Sequence, residues 1–306
     1  MKNTAPELGV VQTVAETYLD DIISVTRVVK GFSTYVYRVI TQTGTYYLRF
    51  SKEDESFATE VLAHKMLRAA GVSVPHVIDF EHKNAQTGCS VMLIEEMPGR
   101  SIEDECPTTH EHEILREAGR QLARIHRIPV DGFGWIDKRI HDALTGEKRS
   151  FDAYFREYLE HDLQTLNHYP FSEKERSRIT DLMQTAQPLL TVRNAVLVHG
   201  DFDISHIFHS AGQYRGIIDL GEIRGNNHLY DLATFIGFYQ DNIRYSFLLE
   251  GYCETVHLTK EDLYATELLA LFMLLRFLGA KVNANSREHW YRLATKQLDR
   301  IRATHQ

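Results

Sequence analysis

The feature that most constrains this chain is a change of character at Glu95-Glu96-Met97-Pro98-Gly99. Proline has no N–H to give a sheet and glycine tolerates unusual backbone angles, so the Pro-Gly step ends whatever precedes it. Upstream, the chain reads as strands. Residues 36–40 and 45–50 are runs of β-branched and aromatic residues about a turn at Thr43-Gly44, which predicts a hairpin. A helix is predicted over residues 57–70, with Leu62, Met66 and Ala69 on one stripe and Gly71 closing it. Residues 77–80 and 91–95 predict two further strands. Downstream the signal turns helical. Ile114, Ala118, Leu122 and Ile125 mark one apolar face ending before Pro129, and residues 151–166, 173–190, 228–240 and 263–278 are further helical candidates. Two short apolar segments, residues 195–198 and 214–220, interrupt them. Strands and helices are thus segregated rather than alternating, which excludes a doubly wound sheet. The expected fold class is α+β, with residues 1–97 as a small antiparallel-sheet part with one helix and residues 98–306 as a larger, mainly helical part.

Bulk properties exclude several functions. The net charge of −8 and the lack of a basic cluster argue against a nucleic-acid partner. No stretch of about 18 apolar residues is present, so no membrane span is expected. The opening MKNTAPELGV lacks the basic-then-apolar pattern of a signal peptide. Cys89, Cys106 and Cys253 are odd in number and far apart, which fits free thiols and a cytoplasmic location.

The densest chemistry lies in VLVHGDFDISHIF, residues 196–208, with His199, Asp201, Asp203 and His206. Eighteen residues after Asp201 comes Asp219, in GIIDLGEIRGNNHLYDLA, followed by Glu222 and Asp231. Each acidic loop follows a short apolar segment of strand character. Carboxylates so gathered suit a hard divalent cation, which takes oxygen ligands.

These motifs resemble the aminoglycoside-phosphotransferase family, relatives of the protein kinases. That family's catalytic loop reads His-Gly-Asp, then Asn after four residues; here His199-Gly200-Asp201 matches, with His206 at the Asn position. Its metal loop resembles Ile218-Asp219-Leu220-Gly221-Glu222, and its Asp-Leu-Ala resembles Asp231-Leu232-Ala233. Gly31-Phe32-Ser33 resembles the nucleotide-covering loop. Tyr47-Leu48-Arg49-Phe50 resembles the strand that brings a cation to the phosphates, and Glu60 stands where a helix glutamate pairs with it. Gly71-Val72-Ser73-Val74-Pro75, Glu95-Glu96-Met97-Pro98-Gly99 and Leu122-Ala123-Arg124-Ile125-His126 match further landmarks in order, so the likeness spans residues 25–240.

The resemblance implies a two-lobed, protein-kinase-like fold and a small-molecule kinase. It assigns Asp201 as the catalytic aspartate, Asp219 and His206 as ligands of Mg²⁺, and Ser33, Arg49, Glu60, Glu95 and Met97 to the nucleotide. His199 would organise the catalytic loop and Asp231 anchor it. The nucleotide is ATP by default, with GTP as the alternative. The two departures are Arg49, where many relatives carry lysine, and His206, whose imidazole suits softer metals than an amide oxygen does. The implied partner is a hydroxyl-bearing, cationic small molecule, with Asp203, Glu222 and Glu160 as candidate contacts and Glu157 and Asp162 beside them. An aminoglycoside-type antibiotic, with resistance as the outcome, is the leading expectation. A kinase of a small metabolic alcohol such as choline or homoserine, a macrolide kinase, and a nucleotide-binding pseudokinase module are the alternatives.

Overall fold

The computed structural model describes residues 4–29, 34–52, 55–105, 108–280 and 284–304. In chain order the elements are α1 (Leu8–Ala15), β1 (Ile22–Val28), β2 (Thr34–Thr41), β3 (Thr45–Ser51), α2 (Ala58–Ala69), β4 (Val77–Glu81), β5 (Val91–Glu95), β6 (Arg100–Ser101), α3 (Thr108–Ile125), β7 (Pro129–Val130), β8 (Phe133–Ile136) and β9 (Gly146–Lys148). There follow α4 (Phe151–Arg156), α5 (Leu159–Thr165), α6 (Glu173–Leu190), β10 (Ala195–Val198), β11 (Ile207–Ser210), β12 (Gln213–Ile217), β13 (Arg224–Asn226), α7 (Tyr230–Tyr239), α8 (Asn242–Cys253), α9 (Lys260–Gly279) and α10 (Ala284–Thr304). The chain forms two compact units. One comprises Met1–Cys106, Ile136–Thr145 and Ser205–Gly221; the other comprises Pro107–Trp135, Gly146–Ile204 and Glu222–Gln306. This is the expected α+β, kinase-like architecture of an antiparallel-sheet part and a larger helical part.

The first unit is built on an antiparallel sheet of order β1-β2-β3-β5-β4. Strand periodicity divides its side chains cleanly. Tyr37, Val39, Leu48, Phe50, Val91 and Leu93 form one buried face, which packs with Val11, Val14 and Ala15 of α1. That leaves Tyr47 and Arg49 on the opposite face, where α2 lies. The stripe expected on α2 is corrected: Leu62 and Met66 are only half-buried and Ala69 is exposed. Beyond its first two residues, the buried positions are Glu60, Ala63, His64 and Leu67. Once Glu60 turns inward to Arg49, helical spacing carries residues three, four and seven further on to the same side. A second sheet in this unit has the order β12-β11-β6.

In the second unit, α9 is buried along most of its length, from Ala265 to Leu275, and packs against α5, α6, α7 and α10. The expected face of α3 is buried as read: Ile114, Ala118, Leu122 and Ile125 are at most 1% exposed. Helix α6 begins where a capping box forms, with Ser172 accepting from the Glu175 N–H and Glu175 reaching back to Ser172. One expectation fails. Residues 151–166 do not make one helix but α4 and α5, because Tyr158 adopts φ −127° and ψ 1°, with the Arg276 guanidinium 4.1 Å over its ring. A five-stranded sheet of order β7-β10-β13-β8-β9 carries the loop after Val198.

Candidate functional site

Two groups of residues carry the chemistry, one in each unit. In the first unit, Arg49 and Glu60 form a buried ion pair. Burial opposes the Arg49 charge, but Glu60 and Asp219 outweigh it and hold the guanidinium above its ordinary pKa. Burial also pushes the Glu60 carboxyl up against the pull of Arg49, and the Asp219 charge adds to that rise. A bound cation near Asp219 would relieve this repulsion. Lys52 lies on the other side of the sheet, 5.1 Å from the Tyr35 ring centroid.

His206 and Asp219 are brought together by one hairpin. Strands β11 and β12 pair Ile207 with Ile217 and Ser210 with Gln213. The two-residue turn between them, Ala211-Gly212, has φ of 52° and 75°, the doubly positive pattern of a turn that matches strand twist. At the open end the Ile218 N–H donates to the His206 carbonyl at 3.0 Å. His206 Nε2 then stands 3.8 Å from Asp219 Oδ2. Asp219 itself has φ 63°, a left-handed conformation that aspartate bears better than most residues. Among the described residues no group of three or more His, Cys, Asp or Glu is arranged to hold a metal. His206 and Asp219 are the two side chains here that could serve a divalent cation, whose remaining positions would fall to water or nucleotide oxygens.

The segment expected to receive the base carries a network that sequence reasoning missed. Tyr47 Oη and Arg38 Nε both donate to Glu96 Oε1 at 3.1 Å. Glu95 is exposed, its N–H donating to the His76 carbonyl at 2.9 Å. Met97 packs on Gly216, where an added Cβ would lie 2.7 Å from Met97 Sδ. Ser33, with Gly31 and Phe32, lies outside the described residues.

In the second unit, Asp201 sits on a loop held from within. Asp231 is wholly buried and accepts from the backbone N–H groups of His199 at 2.8 Å and Gly200 at 2.9 Å. His126 Nε2 lies 2.9 Å from the same carboxylate, and His126 Nδ1 lies 2.9 Å from Tyr252 Oη. Burial alone would raise Asp231, but the His126 hydrogen bond, the neighbouring imidazoles and the Gly200 N–H hold it below the ordinary aspartate range. Gly200 has φ 87°, and a side chain there would strike the Glu222 carbonyl. Only glycine allows this approach. The Asp201 N–H faces His199 Nδ1 at 3.4 Å.

Asp201 and Gly200 line a cavity of about 520 Å³ whose described lining residues all belong to this unit. Glu222 and Glu157 also line it, whereas Asp203 and Glu160 do not. Asp162 is buried beneath Arg276, its Oδ2 2.7 Å from Nη1. Burial raises its carboxyl against that pairing. Among the residues sequence reasoning missed here are Trp135, Tyr154, Tyr158, Arg224, Tyr230 and Arg276. Of these, Arg224 and Tyr230 lay within a motif.

A sheet that turns a glutamate-paired cation to one face, a hairpin that pairs His206 with Asp219, and an aspartate on a backbone-anchored loop are features of a kinase-like phosphotransferase. The sequence model of the APH phosphotransferase enzyme family matches residues 24–265, and the chain belongs to that family. Solved structures share the fold at low identity. The apo form of a thermostable mutant of aminoglycoside phosphotransferase APH(4)-Ia is 15% identical with a TM-score of 0.68, over 96% of this chain and 99% of that one. A GDP complex of a mutant aminoglycoside 2'-phosphotransferase-IIIa is 16% identical with a TM-score of 0.73, over 97% and 98%. The apoenzyme of macrolide 2'-phosphotransferase MphH from Brachybacterium faecium is 15% identical with a TM-score of 0.66, over 94% and 97%. Among the described residues no helix is long and apolar enough to cross a membrane.

Proposed function

We propose that the protein transfers the γ-phosphoryl group of ATP, or of GTP, to a hydroxyl of an antibiotic-like small molecule seated in the Asp201 cavity. One observation carries this reading: the cavity beside Asp201 is lined by a loop whose backbone is fixed by the buried Asp231 carboxylate. Phosphoryl transfer depends on positioning and charge stabilisation more than on a strong base. Asp201 orients the acceptor hydroxyl and takes its proton late. Arg49, steadied by Glu60, meets the nucleotide phosphates. Asp219 and His206 would hold a divalent cation, which would supply neutralisation of the charge that develops on phosphoryl transfer. Tyr47, fixed by Glu96, offers a ring to the base, and Met97 lies against Gly216 below the same segment.

Nucleotide use is supported by the ADP, AMP-PNP and GDP complexes of relatives sharing the fold. Aminoglycosides are the acceptor class tested first, since such relatives were solved with hygromycin B and kanamycin. The likeness to a macrolide phosphotransferase, together with the aromatic cavity wall, supports the second reading, a less cationic antibiotic.

The test is a coupled assay with ATP and GTP, Mg²⁺ present, over aminoglycosides, macrolides and small alcohols, alongside tolerance of cells expressing the protein. Transfer above background nucleotide hydrolysis, abolished in Asp201→Asn, is the expected result. Full activity in Asp201→Asn would refute the mechanism, and nucleotide binding without transfer to any alcohol would favour a pseudokinase.

A further inference from the structure

The wall of the Asp201 cavity is poorly suited to a polycation. Among its described residues are three cations, Lys148, Arg224 and Arg276, and four carboxylates, Glu147, Glu157, Asp201 and Glu222. Each cation already meets an acid. Lys148 Nζ is 2.6 Å from Glu157, Arg224 Nη2 is 3.2 Å from Glu222, and Arg276 Nη1 is 2.7 Å from Asp162. With Asp201 assigned to the acceptor hydroxyl, Glu147 alone remains among the wall carboxylates, and it is exposed. A ligand carrying several ammonium groups would find little negative charge not already shared with a guanidinium or lysine.

What the wall offers instead is rings. Trp135 and Tyr158 are 39% and 48% exposed, two of the large hydrophobic side chains the molecule leaves open to solvent. Each carries a guanidinium on one face: Arg224 lies 3.7 Å from the Trp135 centroid and Arg276 lies 4.1 Å from that of Tyr158. A cation on one face draws the π density of the ring toward itself. The remaining face then holds a second cation less well, while stacking on a neutral ring is retained. Arg224 is locked in this role by Tyr230, whose Oη accepts from Nη1 at 2.6 Å.

We propose that the acceptor is an uncharged alcohol bearing a planar ring, stacked on Trp135 and Tyr158 with its hydroxyl turned to Asp201. This rests on the reading of the cavity as the acceptor site, and the test separates the two claims by measuring binding apart from transfer. The chain has two tryptophans, so Trp290→Phe leaves Trp135 as the sole tryptophan reporter. In that full-length protein with ADP, phenyl β-glucoside should quench the fluorescence with an affinity about tenfold or more above that of kanamycin. Adding Tyr158→Ala should weaken the aryl glucoside about tenfold while leaving ADP binding unchanged. Kanamycin binding as tightly as the aryl glucoside, no quenching by the glucoside below about 10 mM, or an unaffected Tyr158→Ala variant would each overturn the proposal. Phosphorylated glucoside, sought by mass spectrometry with ATP and Mg²⁺, is the expected product. Ring-selective binding with no transfer to any alcohol would count against the phosphotransfer reading and leave the acceptor class standing.

Discussion

The Arg49 face of the first unit and the Asp201 cavity of the second are built on opposite physical plans. Around Arg49 the decisive contacts are ionic and buried: Glu60 pairs with the guanidinium, and Asp219 adds its charge to both. Around Asp201 the lysine and both guanidinium groups of the wall are paired with acids, and Trp135 and Tyr158 add aromatic surface. A nucleotide triphosphate presents the same anionic groups in every setting, so a fixed cation can serve it. An acceptor alcohol has no such common group, and its pocket is free to be shaped by rings. On the proposed assignment of the Arg49 face to the nucleotide, the difference also accounts for why that side is concentrated in short motifs while the cavity draws on residues from Gly134 to Ala280.

Four changes would break or sharpen this contrast. The largest effect is expected from Asp201→Asn, which should lower turnover by about 10²- to 10⁴-fold while ADP affinity stays put; a coupled assay and a nucleotide titration read the two separately. If nucleotide binding fell as far as turnover, the two plans would not be separable. Next, Asp231→Ala removes the acceptor of two backbone N–H groups and of His126. It should cost about 3–5 kcal/mol of stability, seen as a lower urea midpoint, and a midpoint equal to wild type would remove Asp231 as the anchor.

The third concerns pH. His64, 2% exposed, is held at about pKa 4 by burial and by the Arg49 charge, against the pull of its Pro75 hydrogen bond. The folded state therefore prefers the neutral ring. Its contribution is intact above the unfolded pKa of 6.5 and is lost as the pH falls from there toward 4, roughly 3 kcal/mol in all. His64→Gln should flatten that part of the stability profile, and an unchanged slope would exclude His64 as its source. The smallest effect is expected from Asp219→Asn, which should weaken Mg²⁺-dependent ADP binding roughly 10- to 100-fold while sparing metal-free binding. Equal loss with and without metal, measured by calorimetry, would mean that Asp219 meets the nucleotide some other way.

How much of this was legible in the sequence follows the same divide. Residues 173–190 and 195–198 form the helix and strand expected of them because long periodicity or a compact β-branched run fixes each. Strands β6, β7, β9 and β13 have two or three residues, too few to show a period of two, and were not foreseen. Helices α8 and α10 also went unread; buried Leu293, Ala294, Leu298 and Ile301 are sparse among charged neighbours. The stripe on α2 was misplaced because its inward side is chosen by a carboxylate, Glu60, rather than by apolar spacing. His199-Gly200-Asp201 and Asp219 stood out because consecutive polar residues follow apolar strands. Trp135, Tyr158, Arg224 and Arg276 could not, because guanidinium-on-ring pairs across 89 and 118 positions leave no local pattern.

The hairpin carrying His206 and Asp219 belongs to a unit whose other large piece ends at Cys106. Ser101 pairs with Phe208, and the Ser73 carbonyl waits for the N–H of Ile217. During synthesis at about 5–20 residues per second, the three-stranded β12-β11-β6 sheet would therefore stay unfinished until residue 217 has left the exit tunnel. A nascent chain halted before that point would present an open strand edge at β6, the kind of surface that chaperones bind and that invites pairing with a neighbouring nascent chain.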